Sequence, residues 1–350
     1  MKRNMPSVRT SALILLIVLC WRIIGAPVTR QDWINLHTPM WQARTLLPQR
    51  MARVFALWLN GSAPEAQAEQ MAQDGQMISV YLTQENRLVP MTLEGYVCGV
   101  VAAEMPARYH LEALKAQAVA ARTRVLSQME KGGCSLHPGA DICTDSAHCQ
   151  GYATMDECRE KWQDGYEAYR DRVLQAQRET RGQVLTYEGE LITVFYHAMS
   201  GGRTEDAATV FAQSFPYLVS VESAGEESAG GFWTETKLSF DEIAQRLGMG
   251  ITPQDVQRSL SIGGYTPSGR VSAMQIGEQT MDASAFRQAL GLRSTWFSIT
   301  ADQEGVTFLQ RGYGHGVGMS QTGANSMAAQ GGGYGDILAH YYPGTTLESR

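Results

Sequence analysis

The sequence predicts an α+β domain whose helical and strand-rich parts flank a cleft, preceded by an N-terminal transmembrane helix. Three observations lead there. Apolar residues recur at helical spacing through residues 92–130, with a break at Pro106. Short alternating runs later in the chain read as strands between glycine-rich loops. A basic flank followed by an apolar run opens the sequence.

In chain order, Lys2, Arg3 and Arg9 precede an apolar stretch from Ala12 to Trp21, continued past Arg22 by Ile23 and Ile24. Its uninterrupted part is shorter than the roughly 20 residues of an ideal span. It fits a signal peptide cleaved near Gly25-Ala26, or a retained anchor whose Arg22 snorkels to the interface. The lack of a clean small-x-small site favours an anchor over residues 1–26. Residues 27–75 read as a tether, with an amphipathic helix over 48–59 that Pro48 can open.

The main domain is expected over 76–348. Met77–Leu82 alternates as a strand, and Thr92 is an N-cap for a helix ending before Pro106, with Glu104 in its last turn. A second helix covers Leu111–Glu130, with an apolar stripe at Leu114, Ala118, Ala121 and Val125. Lys115 and Arg122, seven apart, share another face. Gly165–Thr180 reads as a helix, and Gln183–Tyr187 and Leu191–His197 as strands around a turn. Helices are expected at Phe240–Leu247 and Ala283–Leu290, and strands at Gly269–Ile276 and Phe297–Thr300.

The net charge of −6 and the absence of a dense basic patch argue against nucleic acid as a partner. They argue equally against long-range attraction to an anionic wall polymer, so substrate contact should come from a specific cleft.

Four constellations can carry chemistry. Glu104 lies at the helix end that the dipole disfavours for an acid, so it is either solvated or held there for a reason. Beside apolar surface its pKa would rise and it could donate a proton near neutral pH. The second set is His137, Cys143, His148 and Cys149, the donor types of a closed zinc site. On spacing alone, a Cys143–Cys149 disulfide fits as well. Cys134 and Cys158 are left to pair or stay reduced, whereas Cys20 and Cys98 lie in apolar surroundings. The third set is Phe195–Gly202, which puts Tyr196, His197 and Ser200 at a strand tip. The fourth is Gly312–Gln321, with His315 and Gln321 in a loop dense in glycine. Either loop could instead be a tight structural turn capped by its histidine. A serine hydrolase is disfavoured because there is no G-x-S-x-G elbow.

Taken together these segments resemble the SpoIID/LytB family. The resemblance rests on Tyr96–Pro106 with its Ala-Ala-Glu-Met-Pro, on Leu111–Thr123, and on Phe195–Gly202. It continues through Ser268–Val271, Leu290–Phe297, Gly314–Ala324 and His340–Gly344. It implies a lytic transglycosylase that cleaves peptidoglycan strands stripped of stem peptides, working beside an amidase and other engulfment proteins at the forespore septum. It implies Glu104 as the catalytic residue, and functional roles for Lys115 and Arg122. It also implies a structural zinc on His137, Cys143, His148 and Cys149, which distinguishes the sporulation type from amidase enhancers. Together with the anchor, it places the domain on the cell-wall side of the membrane. One departure is Thr322, where the family usually has Tyr after Ser-Gln.

The implied chemistry explains a single acid. A glycoside hydrolase needs a second carboxylate. A lytic transglycosylase uses the C6 hydroxyl of the sugar itself, so proximity replaces that group. Lys115, Arg122, Tyr196, His197, Ser200, His315 and Gln321 are then the candidates for binding sugar. The competing expectation is a non-catalytic module that grips wall glycan and stimulates an amidase.

Overall fold

The computed structural model describes residues 75–248 and 250–350. The expected anchor, the tether before Gly75 and Cys20 lie outside them. Among the described residues no helix is long and apolar enough to cross a membrane.

Strands β1 (Met77–Leu82) and β2 (Arg87–Thr92) form an antiparallel hairpin. The Thr92 hydroxyl accepts the Gly95 N–H at 3.1 Å and opens helix α1 (Leu93–Glu104). Met105, the residue before Pro106, is extended and ends it. Helix α2 (Leu111–Glu130) follows, and then strand β3 (Ile142–Cys143), which adds in parallel to the free edge of β1. Thr154 opens α3 (Met155–Trp162) through a capping box with Glu157. A single 3₁₀ turn leads to α4 (Tyr166–Glu179).

Strands β4 (Gln183–Tyr187) and β5 (Glu190–Leu191) form the expected turn, but the strand expected over 191–197 is divided. β5 stays with β4, while β6 (Tyr196–His197) leaves to pair in parallel with β13 (Met319–Ser320), so the chain changes sheets between them. The short α5 (Ala207–Phe211) follows β6.

A second lobe is inserted before β13. It contains β7 (Trp233–Ser239), α6 (Phe240–Leu247), α7 (Pro253–Ser259), β8 (Ser261–Tyr265), β9 (Val271–Ile276) and β10 (Gln279–Asp282). Helix α8 (Ala283–Leu290), β11 (Phe297–Ala301) and β12 (Gly305–Arg311) complete it. Its two sheets run β10-β9-β8 and β11-β12-β7. They enclose a separate core that includes Ile243, Met274, Phe286 and Phe308. The chain then returns through β13 to α9 (Gln321–Ala329), α10 (Tyr334–Tyr341) and β14 (Thr346–Ser349), which pairs with β4. The architecture is α+β.

The core of the first lobe forms around α2, which packs against α1, α4, β4, α9 and α10. The sequence predicts one apolar stripe, but Ala113, Ala116, Gln117, Val119, Ala120 and Arg122 are buried as well. Alanine at so many positions lets neighbouring elements approach the α2 backbone from nearly every side.

Candidate active site and metal cluster

Glu104 emerges from the last turn of α1 into a cleft of about 530 Å³. One wall is Glu104 to Tyr109 with Lys161, Trp162 and Tyr169; facing it are Ala198, Met199, Gly230 and Arg293, with Gln321 and Thr322 from the start of α9. Glu104 is the only carboxylate in this lining among the described residues.

Its Oε1 accepts the Gly151 N–H at 2.7 Å, and its Oε2 accepts from Gln321 Nε2 at 3.3 Å. Glycine at 151 leaves room for this approach: a Cβ there would lie 2.9 Å from Glu104 Oε1 and push the carboxylate aside. Burial raises the carboxyl pKa, and the bonds from Gly151 and Gln321 and the charge of Arg124 only partly offset it. Glu104 therefore holds a proton to higher pH than an ordinary carboxylic acid. Tyr196 is one step away. Its hydroxyl donates to Gln150 Oε1 at 2.7 Å, and Gln150 precedes the glycine that holds Glu104. Thr322 Oγ1 lies 3.3 Å from the Tyr109 hydroxyl and donates to Ala198 O at 2.9 Å.

Glu104 and Gln321 thus line the cleft and Tyr196 supports it. Five other sequence candidates do not line it. Lys115 forms ion pairs with Glu112 at 2.7 Å and Glu179 at 2.6 Å. Arg122 is 1 % exposed and grips Glu94 with both arms of its guanidinium, 2.7 Å each, while Gln177 donates to the same carboxylate. Burial pushes the Glu94 pKa up, but the Arg122 bonds and charge hold it below the usual range. Both cations have the expected helix face, yet that face is covered by α1 and α4 rather than open to a substrate.

His197 and His315 pack ring to ring, with centroids 5.5 Å apart. His197 Nδ1 donates to Val317 O, and His315 Nδ1 accepts the Val317 N–H. Burial, with the charges of Arg287, Arg124 and Arg270, pushes the His315 pKa down to about 3, so it is neutral at physiological pH. Burial likewise lowers His197. These histidines brace the glycine loop. Gly318 needs to be glycine there: its φ is +70, and a Cβ would lie only 2.0 Å from Phe195 O.

Ser200 is fully buried and serves Glu226, which sequence reasoning did not single out. Glu226 Oε1 accepts from the hydroxyls of Ser200 (2.9 Å), Ser223 (2.7 Å) and Ser320, and Oε2 accepts the N–H groups of Gly201 (2.8 Å) and Gly202 (3.3 Å). One carboxylate thereby ties the Ser-Gly-Gly loop to the start of α9, which carries Gln321. Arg270, also buried, donates to Ser200 O and Arg203 O from the second lobe.

Three of the four expected metal ligands, Cys143, His148 and Cys149, gather in one cluster. The atoms of Cys134, Cys143, His148 and Cys149 lie within 4.8 Å of one another, and the group could hold a metal ion. His148 Nδ1 is 3.6, 3.5 and 3.2 Å from the sulfurs of Cys134, Cys143 and Cys149. Cys134 and Cys149 sulfurs are 4.0 Å apart. Tetrahedral zinc, with Zn–S of about 2.3 Å and Zn–N of about 2.0 Å, would set edges of about 3.5–3.8 Å, so the donors fit. His137 is the exception: it stacks on Tyr81 with ring centroids 3.7 Å apart, and Cys134 takes the fourth corner. A hydrogen bond from Cys134 N to Ala140 O at 2.9 Å folds Cys134 back to this position. Adjacent His148 and Cys149 both reach the cluster because their N–H groups turn back onto Asp145 O. No disulfide links Cys98, Cys134, Cys143, Cys149 and Cys158, and all five are buried.

Residues 81–187 match the SpoIID family, described as "Stage II sporulation protein". The chain is 34% identical over 280 residues to stage II sporulation protein D of Bacillus subtilis (strain 168), covering 80% of this chain and 81% of that one. It is also 34% identical to the protein of the same name from Bacillus amyloliquefaciens, covering 77% and 78%. An "Amidase enhancer" of Bacillus subtilis (strain 168) is 30% identical, covering 72% of this chain and 40% of that protein.

Proposed function

The chain belongs to the SpoIID family of stage II sporulation proteins, and from that premise we propose that it is a peptidoglycan lytic transglycosylase. It cleaves glycan strands stripped of stem peptides, leaving 1,6-anhydro-muramic ends, during forespore engulfment. The observation that carries this reading is a solitary carboxylate with a raised pKa in a cleft walled by Tyr109, Trp162 and Tyr169. Aromatic faces suit the apolar faces of sugar rings, and one acid suits a reaction with an internal nucleophile.

Gly151 holds Oε1 closely, so Oε2, with only the longer Gln321 contact, is the freer oxygen to carry the proton. Glu104 gives that proton to the leaving glycosidic oxygen. The resulting carboxylate then takes the proton of the C6 hydroxyl as that oxygen closes on C1. Such a substrate requires the domain to stand on the cell-wall side of the membrane, as the expected anchor would hold it.

We assign the Cys134, Cys143, His148 and Cys149 cluster to zinc. With four protein donors it leaves no open position for water, so its role is structural. Cys149 is two residues from Gly151, and the metal would fix the loop that fixes Glu104.

Incubation with denuded glycan strands tests the reading. Wild type should release anhydro-muramic fragments, and Glu104→Gln should lose roughly 10²- to 10⁴-fold in rate. Undiminished cleavage by the variant would sink the assignment. The relative named amidase enhancer supports a second reading, a glycan-gripping activator of an amidase. Wild-type binding to strands without any cleavage would favour it.

A further inference from the structure

The cleft is basic in an acidic protein. Arg108, Lys161 and Arg293 line it against the single carboxylate Glu104, although the whole chain carries a formal charge of −6. Lys237, in the second lobe, is paired with Asp302 and Glu304. None of the three cleft cations has an ion-pair partner among the described residues.

Arg293 is the most constrained of them. It stands in the second lobe between α8 and β11, and its guanidinium carbon lies 4.4 Å over the ring of Tyr313. That stack fixes the plane of the fork, and Nε is buried with no acceptor. The backbone N–H of Tyr313 donates to Met199 O at 2.7 Å, and Met199 itself lines the cleft. Tyr313 is 47% exposed, so the platform is open to solvent. By contrast Lys161 donates to Ala102 O at 3.3 Å, and Arg108 has no stacking partner among the described residues.

We propose that Arg293 binds a carboxylate on the substrate, and that this contact makes the cleft select glycan whose muramic acid lactyl groups are free acids. The proposal rests on the glycan reading of the cleft. A planar fork without a protein partner matches a carboxylate in two parallel hydrogen bonds. When a stem peptide is attached the lactyl carboxylate is an amide, which removes the charge and one acceptor oxygen and adds bulk at the same point. Selection for free acid is then a property of one guanidinium rather than of cleft width.

The test measures binding by calorimetry to the full chain carrying Glu104→Gln, which prevents turnover. Three probes are compared: a tetrasaccharide of alternating N-acetylglucosamine and N-acetylmuramic acid, the same sugar with its lactyl groups as methylamides, and a chitin tetrasaccharide. The free acid should bind roughly 10- to 100-fold tighter than the amide. Adding Arg293→Gln should abolish that ratio, and Arg293→Lys should restore part of it. Equal binding of acid and amide, which needs no second variant to observe, overturns the proposal alone. So does an acid preference that survives Arg293→Gln. Binding of none of the three overturns both the proposal and the glycan reading.

Discussion

Glu104 occupies a helix C-terminus, where the dipole opposes a negative charge, and burial opposes it further. The sign of the pH dependence follows. The folded protein holds this proton at a pH where the unfolded chain has lost it, so the stability due to Glu104 is complete below the ordinary carboxylate range. It is lost as pH rises through the raised folded pKa. Thermal melts should therefore show wild type losing ground to Glu104→Gln as pH increases. Activity should fall over the same interval, because only the protonated acid can start the reaction. A rate that instead rises through that interval would remove Glu104 from the role of acid. At Glu226 the expectation concerns stability. Gln would point an amide N–H₂ at hydroxyl and backbone donors, and denaturant titration should show a loss of roughly 1–3 kcal/mol or more.

At the level of elements, α2 shows what local pattern reveals and what it hides. Thr92, Pro106 and the Leu111–Glu130 helix were legible because caps, prolines and helical periodicity act within a few residues. The common face of Lys115 and Arg122 was legible too, but not its cover, because Glu94 and Glu179 come from other helices. Arg122→Ala should leave the part-buried Glu94 without its cation, with Gln177 still donating to it, and destabilise by about 3 kcal/mol, read as a large fall in melting temperature. Glu226 had little local mark: Ser223 is three residues away, but Ser200 and Ser320 are brought to it only by the tertiary fold. The metal loop was half legible. Donor types pointed to it, but the fold-back of Cys134 depends on turn geometry that spacing does not encode. Zinc content after Cys134→Ser and after His137→Ala separates the two ligand sets. The observed cluster predicts loss in the first and retention in the second, and chelation should lower melting temperature and activity together.

Across the described residues, two separate cores meet at a cleft to which each contributes different side chains. The first lobe supplies the acid and its aromatic walls, and the second supplies Arg293. Buried Glu205 and Arg270 fasten the junction: Glu205 Oε2 accepts from Thr266 Oγ1 at 2.6 Å, and Arg270 donates to the Ser-Gly-Gly loop. That division accounts for the scattering of family-like segments along the chain, since a cleft between lobes draws on both. In the reaction proposed for this cleft the nucleophile belongs to the sugar, and no second carboxylate takes part. Cleavage of denuded strands in heavy-oxygen water, followed by mass analysis of the new ends, tests it most directly. Anhydro ends one water lighter than hydrolysed ones and free of label are expected, whereas labelled reducing ends would rule out the internal nucleophile.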